Sequence, residues 1–527
     1  EGIISEMFEG YKVRESQLEA IPVLWNAFED NKHCFIEGPC GFGKTYAYLF
    51  PALMECAEKG KKVVIATSGI TLQDQLIKKD VPFMVNIVEK VTGRNLSFSN
   101  LKGKNNYICK RACKELEYIS KNSALTGDEF EIVNLSNTSK TGDIDELGYI
   151  PNYNVWRELS CQDKTGAECK GCPYVCFHQQ ARDKALTNNI VVTNYHLLMS
   201  DIQANGSILG SYDILICDEG HEIPNIIRDC FEKEFSNGVV NDMKEKLDRL
   251  SPYGDLIDLN TLDIDMKQLV SNTKHMFKTI ASSFSSSRFG VMKNLKEFDL
   301  TKYTSELKDV AEALAELSKD VNNEHSIVTN AIESGECYYL NEQERGIMLS
   351  EINGLADLAV GSYQFIMSKV AVLNHNFDND VVFIEHTNKG VTSFKSRMKK
   401  VDRIFYENFI KKEDMNGNNI SILLTSATLS VGGTFDYIKE QLGFYSDIET
   451  VEFIGKSPFN LEEQELWYLP SDAVEANKKG FEEVMLRNFL NVCKSSGGGV
   501  LGLFTSVYNM NKAFDYLTSN LKQSDNI

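Results

Sequence analysis

"CFIEGPCGFGKTYAYLFPAL", residues 34–53, decides the fold. A short apolar run, Cys34 to Ile36, leads into a glycine-rich loop of the form G-x-x-x-x-G-K-T, and helix-forming text comes next. Strand, loop and helix in that order are what a phosphate-binding loop requires. Glycines let backbone N–H groups close around phosphate oxygens, and the helix adds the positive end of its dipole. Gly38, Pro39, Cys40, Gly41, Phe42 and Gly43 would form the wrap around a nucleoside triphosphate. Lys44 would reach the β- and γ-phosphates and the Thr45 hydroxyl would ligate Mg²⁺.

Such a loop needs a second Mg²⁺ ligand and a group that orients water. "YDILICDEGHE" (212–222) supplies both. Ile214 to Cys217 reads as a buried parallel strand. Asp218 and Glu219 come directly after it, at the carboxyl end, where open α/β sheets bind ligands. Asp218 would hold Mg²⁺, directly or through water, and Glu219 would polarise the attacking water. Further apolar runs at Val63 to Thr67, Ile190 to Thr193 and Ile422 to Thr425 are separated by helix-like text. The fold class is therefore α/β, a parallel sheet of the P-loop NTPase kind.

Two insertions interrupt that pattern. The second, about 232–415, carries amphipathic text such as "LTKYTSELKDVAEALAELSKDV" (300–321), with Leu307, Val310, Leu314 and Leu317 on one face. The first, about 101–185, holds six of the thirteen cysteines. Cys169, Cys172 and Cys176 form C-x₂-C-x₃-C, dense enough for one loop to wrap a metal centre. Cys109 is the first choice for a fourth ligand; Cys161 and Cys113 are rivals and His178 a more distant one. Three clustered cysteines plus a remote one fit cubane iron–sulfur ligation better than paired zinc knuckles. The polar stretch 121–150 reads as disordered length between them.

The net charge is −20, but local patches rather than the average decide what a protein binds. "LKGKNNYICKRACK" (101–114) and "KSRMKK" (395–400) are both basic. No apolar run is long enough for a membrane helix. With no export signal and lopsided cysteine usage, a reducing cytoplasmic setting is expected. The chain opens on Glu1, so its true start is expected upstream.

The motifs together resemble the XPD/DinG family of superfamily 2 DNA helicases. D-E-G-H resembles the D-E-x-H box. "YKVRESQ" (11–17) resembles the adenine-contacting Q motif, with Arg14 and Gln17. "IATSGITLQDQLIKKDVP" (65–82) is similar to motif Ia, with Thr71 and Gln73. "ILLTSATLS" (422–430) resembles motif III, with Ser426, Ala427 and Thr428. "SPFN" (457–460) and "GVLGLFTSVYNM" (499–510) resemble the entry to a second motor domain, "KGKNNYIC" (102–109) the lead-in to a cluster, and 176–198 its exit.

The resemblance implies an ATP-dependent DNA helicase, 5′-to-3′ in direction, acting in repair or replication. It implies ATP, Mg²⁺ and a [4Fe-4S] cluster, with zinc as the runner-up. Single-stranded and forked DNA are the expected partners of a monomeric motor. His221 would couple the ATP site to the nucleic-acid groove, where Thr71, Gln73, Ser426 and Thr428 also act. Lys102, Lys104, Lys110, Arg111 and Lys114 would meet DNA phosphates beside the cluster. The implied organisation is a first RecA-like motor domain at 1–100, an iron–sulfur cluster domain at 101–185, the RecA-like domain again at 186–231, a mainly helical Arch insertion at 232–415, the end of the first RecA-like domain at 416–455, and a second RecA-like domain begun at 456–527.

Within these 527 residues no Q-x-x-G-R-x-x-R motif occurs. Arginine fingers are worth roughly 10³–10⁵ in rate, so weak ATP binding and poor hydrolysis are expected of these residues alone. Three other readings stay open: a translocating ATPase that remodels without unwinding, a binding-only protein with a silent motor, and a zinc-stabilised RNA helicase. No nuclease signature is present in these residues.

Overall fold

A computed structural model of the chain describes residues 13–120, 125, 127–162, 169, 172–282, 291–294, 300–367, 380–386, 392–476 and 478–521. The chain forms two compact units, Glu1–Pro458 and Phe459–Ile527.

The first unit is built on a seven-stranded parallel sheet: β1 (His33–Glu37), β2 (Val63–Thr67), β3 (Phe98–Asn100), β4 (Ile190–Asn194), β5 (Ile214–Asp218), β10 (Ser421–Ser426) and β11 (Thr450–Ile454). Its order is β11-β1-β10-β5-β2-β4-β3. Val, Ile, Leu and Cys fill β2, β4, β5 and β10 without polar alternation because both faces of the sheet are covered. One face packs on helices Glu15–Glu29, Lys44–Lys59 and Val81–Thr92. The other packs on helix Tyr195–Gln203 and on Phe405, Phe409 and Phe435.

The order β1-β10-β5 decides which motifs meet. Glu37 lies in register with Ser426, and Thr425 with Asp218. The carboxyl ends of these three strands therefore stand side by side, with Ser426 in the middle.

The cysteine-bearing insertion is a small core of its own. Tyr107, Ile108, Cys113, Ile132, Val133, Trp156, Leu159, Cys161 and Phe177 are buried together. The expectation of disorder across 121–150 is corrected by helix Gly127–Thr138, which turns Ile132 and Val133 inward. Only 121–124 and 126 of that stretch lie outside the described residues.

In the second insertion, helices Asn237–Arg249, Leu259–Ser282, Thr304–Ser334 and Glu342–Phe365 share one core. The stripe Leu307, Val310, Leu314 and Leu317 is fully inside it. The helical reading missed a four-stranded antiparallel sheet: β6 (Lys233–Ser236), β7 (Val291–Asn294), β8 (Asp380–His386) and β9 (Thr392–Met398), in the order β6-β9-β8-β7. Two residues of the basic run at 395–400 lie on β9 and are already neutralised. Lys395 pairs with Glu232, Glu234 and Glu385, and Arg397 pairs with Asp229. The serine-rich run "ASSFSSSRFG" (281–290) reads as a loop; Ala281 and Ser282 instead close the helix Leu259–Ser282, and 283–290 lie outside the described residues.

The second unit holds helices Phe481–Ser496 and Val507–Asn520, with Phe489 edge-on to Phe504. Among its described residues there is no strand, and Leu501 and Leu503 are exposed.

Candidate nucleotide site and cysteine cavity

The glycine-rich loop runs from β1 into helix Lys44–Lys59. Gly43 caps that helix at φ 85°, a backbone shape that disfavours any side chain. A Cβ there would also lie 2.4 Å from Gln17 Nε2 and 2.7 Å from Arg14 Nη1. Gln17 Nε2 donates to the Gly43 carbonyl at 2.8 Å. The segment carrying Arg14 and Gln17 is thus seated against the end of the loop. Pro39, Cys40 and Gly41 face outward, whereas Phe42 is buried.

Lys44 Nζ stands 3.6 Å from Glu219 Oε1. Glu219 has φ 55°, the left-handed region that a non-glycine residue occupies only when its surroundings hold it there. Ser426 supplies part of that hold. Its hydroxyl donates to Glu219 Oε2 at 3.0 Å and lies 2.7 Å from His221 Nδ1. A hydroxyl has one proton, so with that proton on Glu219 the His221 Nδ1–H donates to Ser426. The ring's other nitrogen faces Glu222 Oε1 at 3.2 Å. Lys44, Glu219, Ser426 and His221 therefore form one continuous polar chain across β1, β10 and β5.

Asp218 is almost wholly inside, and its carboxyl is pushed up to about 6, first by burial and next by the charge of Glu219. Lys44, the Tyr48 hydroxyl and the Glu219 N–H oppose that rise. Tyr48 Oη donates to Asp218 Oδ2 at 3.2 Å, and Tyr195 Oη donates to the Asp218 carbonyl at 2.7 Å. The sequence reading missed both tyrosines. Tyr48 is four residues after Lys44, hence on the same helix face, which was the available signal.

Glu37 was missed as well. Its carboxylate accepts from Leu429 N at 2.7 Å, Ser430 N at 2.5 Å and Ser430 Oγ at 2.9 Å. The residue just before the phosphate loop thus ties down the loop after β10. Thr428 is exposed on that loop.

Two residues expected to face nucleic acid do not. Gln73 is fully buried: it donates to Asn100 Oδ1, Leu101 O and Val192 O, and accepts from Asn194. Lys102 is 1% exposed and ion-paired to Asp74, Asp143 and Asp145. Spacing could not reveal this, because its partners lie up to 43 residues away. Thr71 and Lys104 are exposed, and Lys110 and Arg111 are half-buried at the edge of the cysteine cavity.

That cavity is about 350 Å³ and is lined by Cys109, Cys161, Cys169, Cys172 and Cys176 together with His178. Cys109 N donates to Leu159 O at 2.7 Å and Cys161 N to Tyr107 O at 2.8 Å, a short antiparallel pairing that sets the two thiols side by side. Cys161 is within hydrogen-bonding reach of both Cys109 and Cys176, and those two neighbours push its thiol up. Cys176 is lowered to about 6, first by the Cys161 thiol and then by the backbone N–H groups of Gln179 and His178. Cys109 and Cys176 each cap a helix N-terminus, where the dipole favours a thiolate. Cys169 is exposed at the rim and Cys113 points away, toward Ser136. Among the described residues no three His, Cys, Asp or Glu side chains converge on a point that could hold a single metal ion. The thiols ring a space instead.

A DEAD/DEAH box helicase model matches residues 14–109, and the DEAD_2 model matches residues 101–240. The 3'-5' exonuclease DinG of Bacillus subtilis is 26% identical over 99% of this chain and 58% of its own length. The ATP-dependent DNA helicase YoaA of Haemophilus influenzae is 25% identical over 98% of this chain and 74% of its own. A solved XPD helicase structure aligns over 97% of this chain and 75% of its own, with a TM-score of 0.44 and 12% identity. The chain thus spans between about half and three quarters of these relatives. A phosphate loop, a D-E-G-H box and Ser426 thus stand at the strand ends of one parallel sheet, and the chain matches the DEAD/DEAH box helicase and DEAD_2 models in sequence order and is similar over nearly its whole length to the DinG and YoaA proteins.

Proposed function

We propose that this chain is the ATP-hydrolysing part of a DNA helicase that moves along single-stranded DNA, 5′ to 3′, and separates duplex at a fork. The carrying observation is the chain Lys44–Glu219–Ser426–His221, which links the phosphate loop to the third strand end. A γ-phosphate arriving at Lys44 would draw the ammonium away from Glu219. Glu219 would then be free to orient water, while Asp218 and Thr45 hold Mg²⁺. The Ser426 hydroxyl would report that change to His221 and to the exposed Thr428, on the surface offered to DNA.

The cysteine cavity supports a cluster rather than one ion, because five cysteines surround it without converging and two helix N-termini favour thiolates there. Cys109, Cys161, Cys172 and Cys176 would hold a [4Fe-4S] group. This replaces the spacing-based choice of Cys169, which stands at the rim. The group would supply a rigid fold rather than redox chemistry. Lys104, Lys110 and Arg111 would meet phosphates beside it.

The test is an ATP-dependent strand-separation assay, with the full-length protein that carries this chain, on 5′-tailed, 3′-tailed and blunt duplexes, with Lys44→Ala as control. Separation of the 5′-tailed duplex alone is the expected result. Hydrolysis stimulated by single strands without separation of any duplex would favour a translocase that does not unwind.

A further inference from the structure

We infer that Lys102 is a positioning residue: a buried ammonium pin that joins the motif Ia helix to the cysteine-bearing insertion, so that movement of one is carried to the other. The inference rests on the DNA-motor reading and adds a route of coupling to it.

The pin has three anchors. Asp74, on helix Ile70–Gln75, lies 3.0 Å from Lys102 Nζ. Asp143 lies at 2.9 Å, and Asp145 makes the third contact. Asp143 and Asp145 open the turn Ile144–Leu147, and Asp143 pairs by backbone with Tyr107, two residues before Cys109. Lys102 itself sits where the chain leaves the sheet edge at β3 for the insertion. Its own N–H bonds to the Tyr107 hydroxyl at 3.1 Å. One position along, Gln73 clamps the backbone of Leu101 and Val192. Motif Ia thus holds the entry to the insertion at two successive residues, by an amide and by an ion pair.

Three carboxylates around one ammonium leave the group net negative. A buried lysine in this position is held charged by Asp145, Asp143 and Asp74 against the cost of burial. Such a cluster has few alternative arrangements: a second cation, Lys78, is exposed and bonds Asp74 Oδ2 at 2.9 Å, so removing the Lys102 ammonium leaves Asp143 and Asp145 facing Asp74 without their shared cation. It therefore transmits displacement rather than absorbing it.

The experiment compares wild type, Lys102→Met, Lys102→Arg and the triple variant Lys102→Met/Asp143→Asn/Asp145→Asn, each with and without a dT oligonucleotide. Hydrogen exchange is tracked in peptides from 104–119 and 139–161, and DNA affinity is measured in parallel. In wild type, the oligonucleotide is expected to slow exchange in 139–161. In Lys102→Met that DNA-induced change is expected to vanish, with affinity within twofold of wild type and exchange in Lys44–Lys59 unaltered. The triple variant, relieved of the repulsion but still without the pin, should behave like Lys102→Met, and Lys102→Arg should restore the response. A DNA-induced change that survives in Lys102→Met or in the triple variant overturns the proposal. So does a loss of protection spread over the whole chain that Lys102→Arg does not repair. Absence of strand separation by wild type would instead sink the helicase reading, and the exchange comparison would still decide the pin.

Discussion

Ser426 Oγ donates to Glu219 Oε2 at 3.0 Å, and Lys44 Nζ stands 3.6 Å from the other oxygen of the same carboxylate. One side chain is thereby shared between the group that would meet phosphate and the loop that would meet DNA. Ser426→Ala removes the shared hydroxyl and leaves the phosphate loop intact. A hydrogen bond to a charged group is worth about 1.5–3 kcal/mol, so DNA stimulation of hydrolysis should fall about tenfold or more. Nucleotide affinity should change little. Titration of ATPase rate against single-stranded DNA, beside equilibrium binding of a fluorescent ATP analogue, separates the two effects.

Glu37 anchors the same loop from the other side, through two backbone N–H groups and one hydroxyl. Glu37→Ala should free Leu429 and Ser430 and lower kcat more than it raises KM. Glu37→Gln keeps an acceptor oxygen and should recover part of the loss. Equal activity of the alanine variant and wild type would show that this anchor is idle.

Burial raises the Asp218 carboxyl to about 6, from an ordinary value near 3.8. The folded chain therefore binds the proton more tightly than the unfolded one. That contribution to stability is fully present below about 3.8 and is lost as pH rises through about 6. At pH 7.5, without Mg²⁺, the ionised group costs stability. Asp218→Asn should raise stability by about 3 kcal/mol there, lose that advantage near pH 4, and abolish Mg²⁺-dependent hydrolysis. Thermal unfolding at the two pH values in EDTA is the check. A lower melting temperature for Asp218→Asn at pH 7.5 would contradict the sign.

The cysteine cavity predicts which thiols matter. Cys161→Ala should lose most of the iron and its visible absorption, because Cys161 sits between Cys109 and Cys176. Cys169→Ala should keep both, because Cys169 is exposed at the rim. Iron retained in Cys161→Ala and lost in Cys169→Ala would restore the choice made from spacing. Zinc in place of iron would leave the ligand order testable and remove the cluster.

What could be read from the sequence was what is local in the chain. Gly38 to Thr45 and Asp218 to His221 are short strings whose chemistry depends on their own backbone. The strands Ile190 to Thr193 and Ile214 to Cys217 announce themselves because both faces of the sheet are buried. Long-range relationships were hidden. Glu37 meets Ser430 only because β1 and β10 are neighbours in the sheet. Lys102 reads as one more basic residue in a basic stretch until Asp74, Asp143 and Asp145 are folded around it. Cys161 ranked only as a rival ligand because the thiols that face it come from other segments. The sheet β6-β9-β8-β7 was missed because β6 and β7 are four residues each and lie far in sequence from the β8–β9 pair they flank.

The central claim is that nucleotide chemistry at Lys44 answers to DNA. The most direct measurement is steady-state ATP hydrolysis by the chain with and without single-stranded DNA, with Lys44→Ala as the blank. A slow rate that rises about tenfold on adding DNA and vanishes in Lys44→Ala is the predicted result. A rate indifferent to DNA, or one that survives Lys44→Ala, would contradict the account.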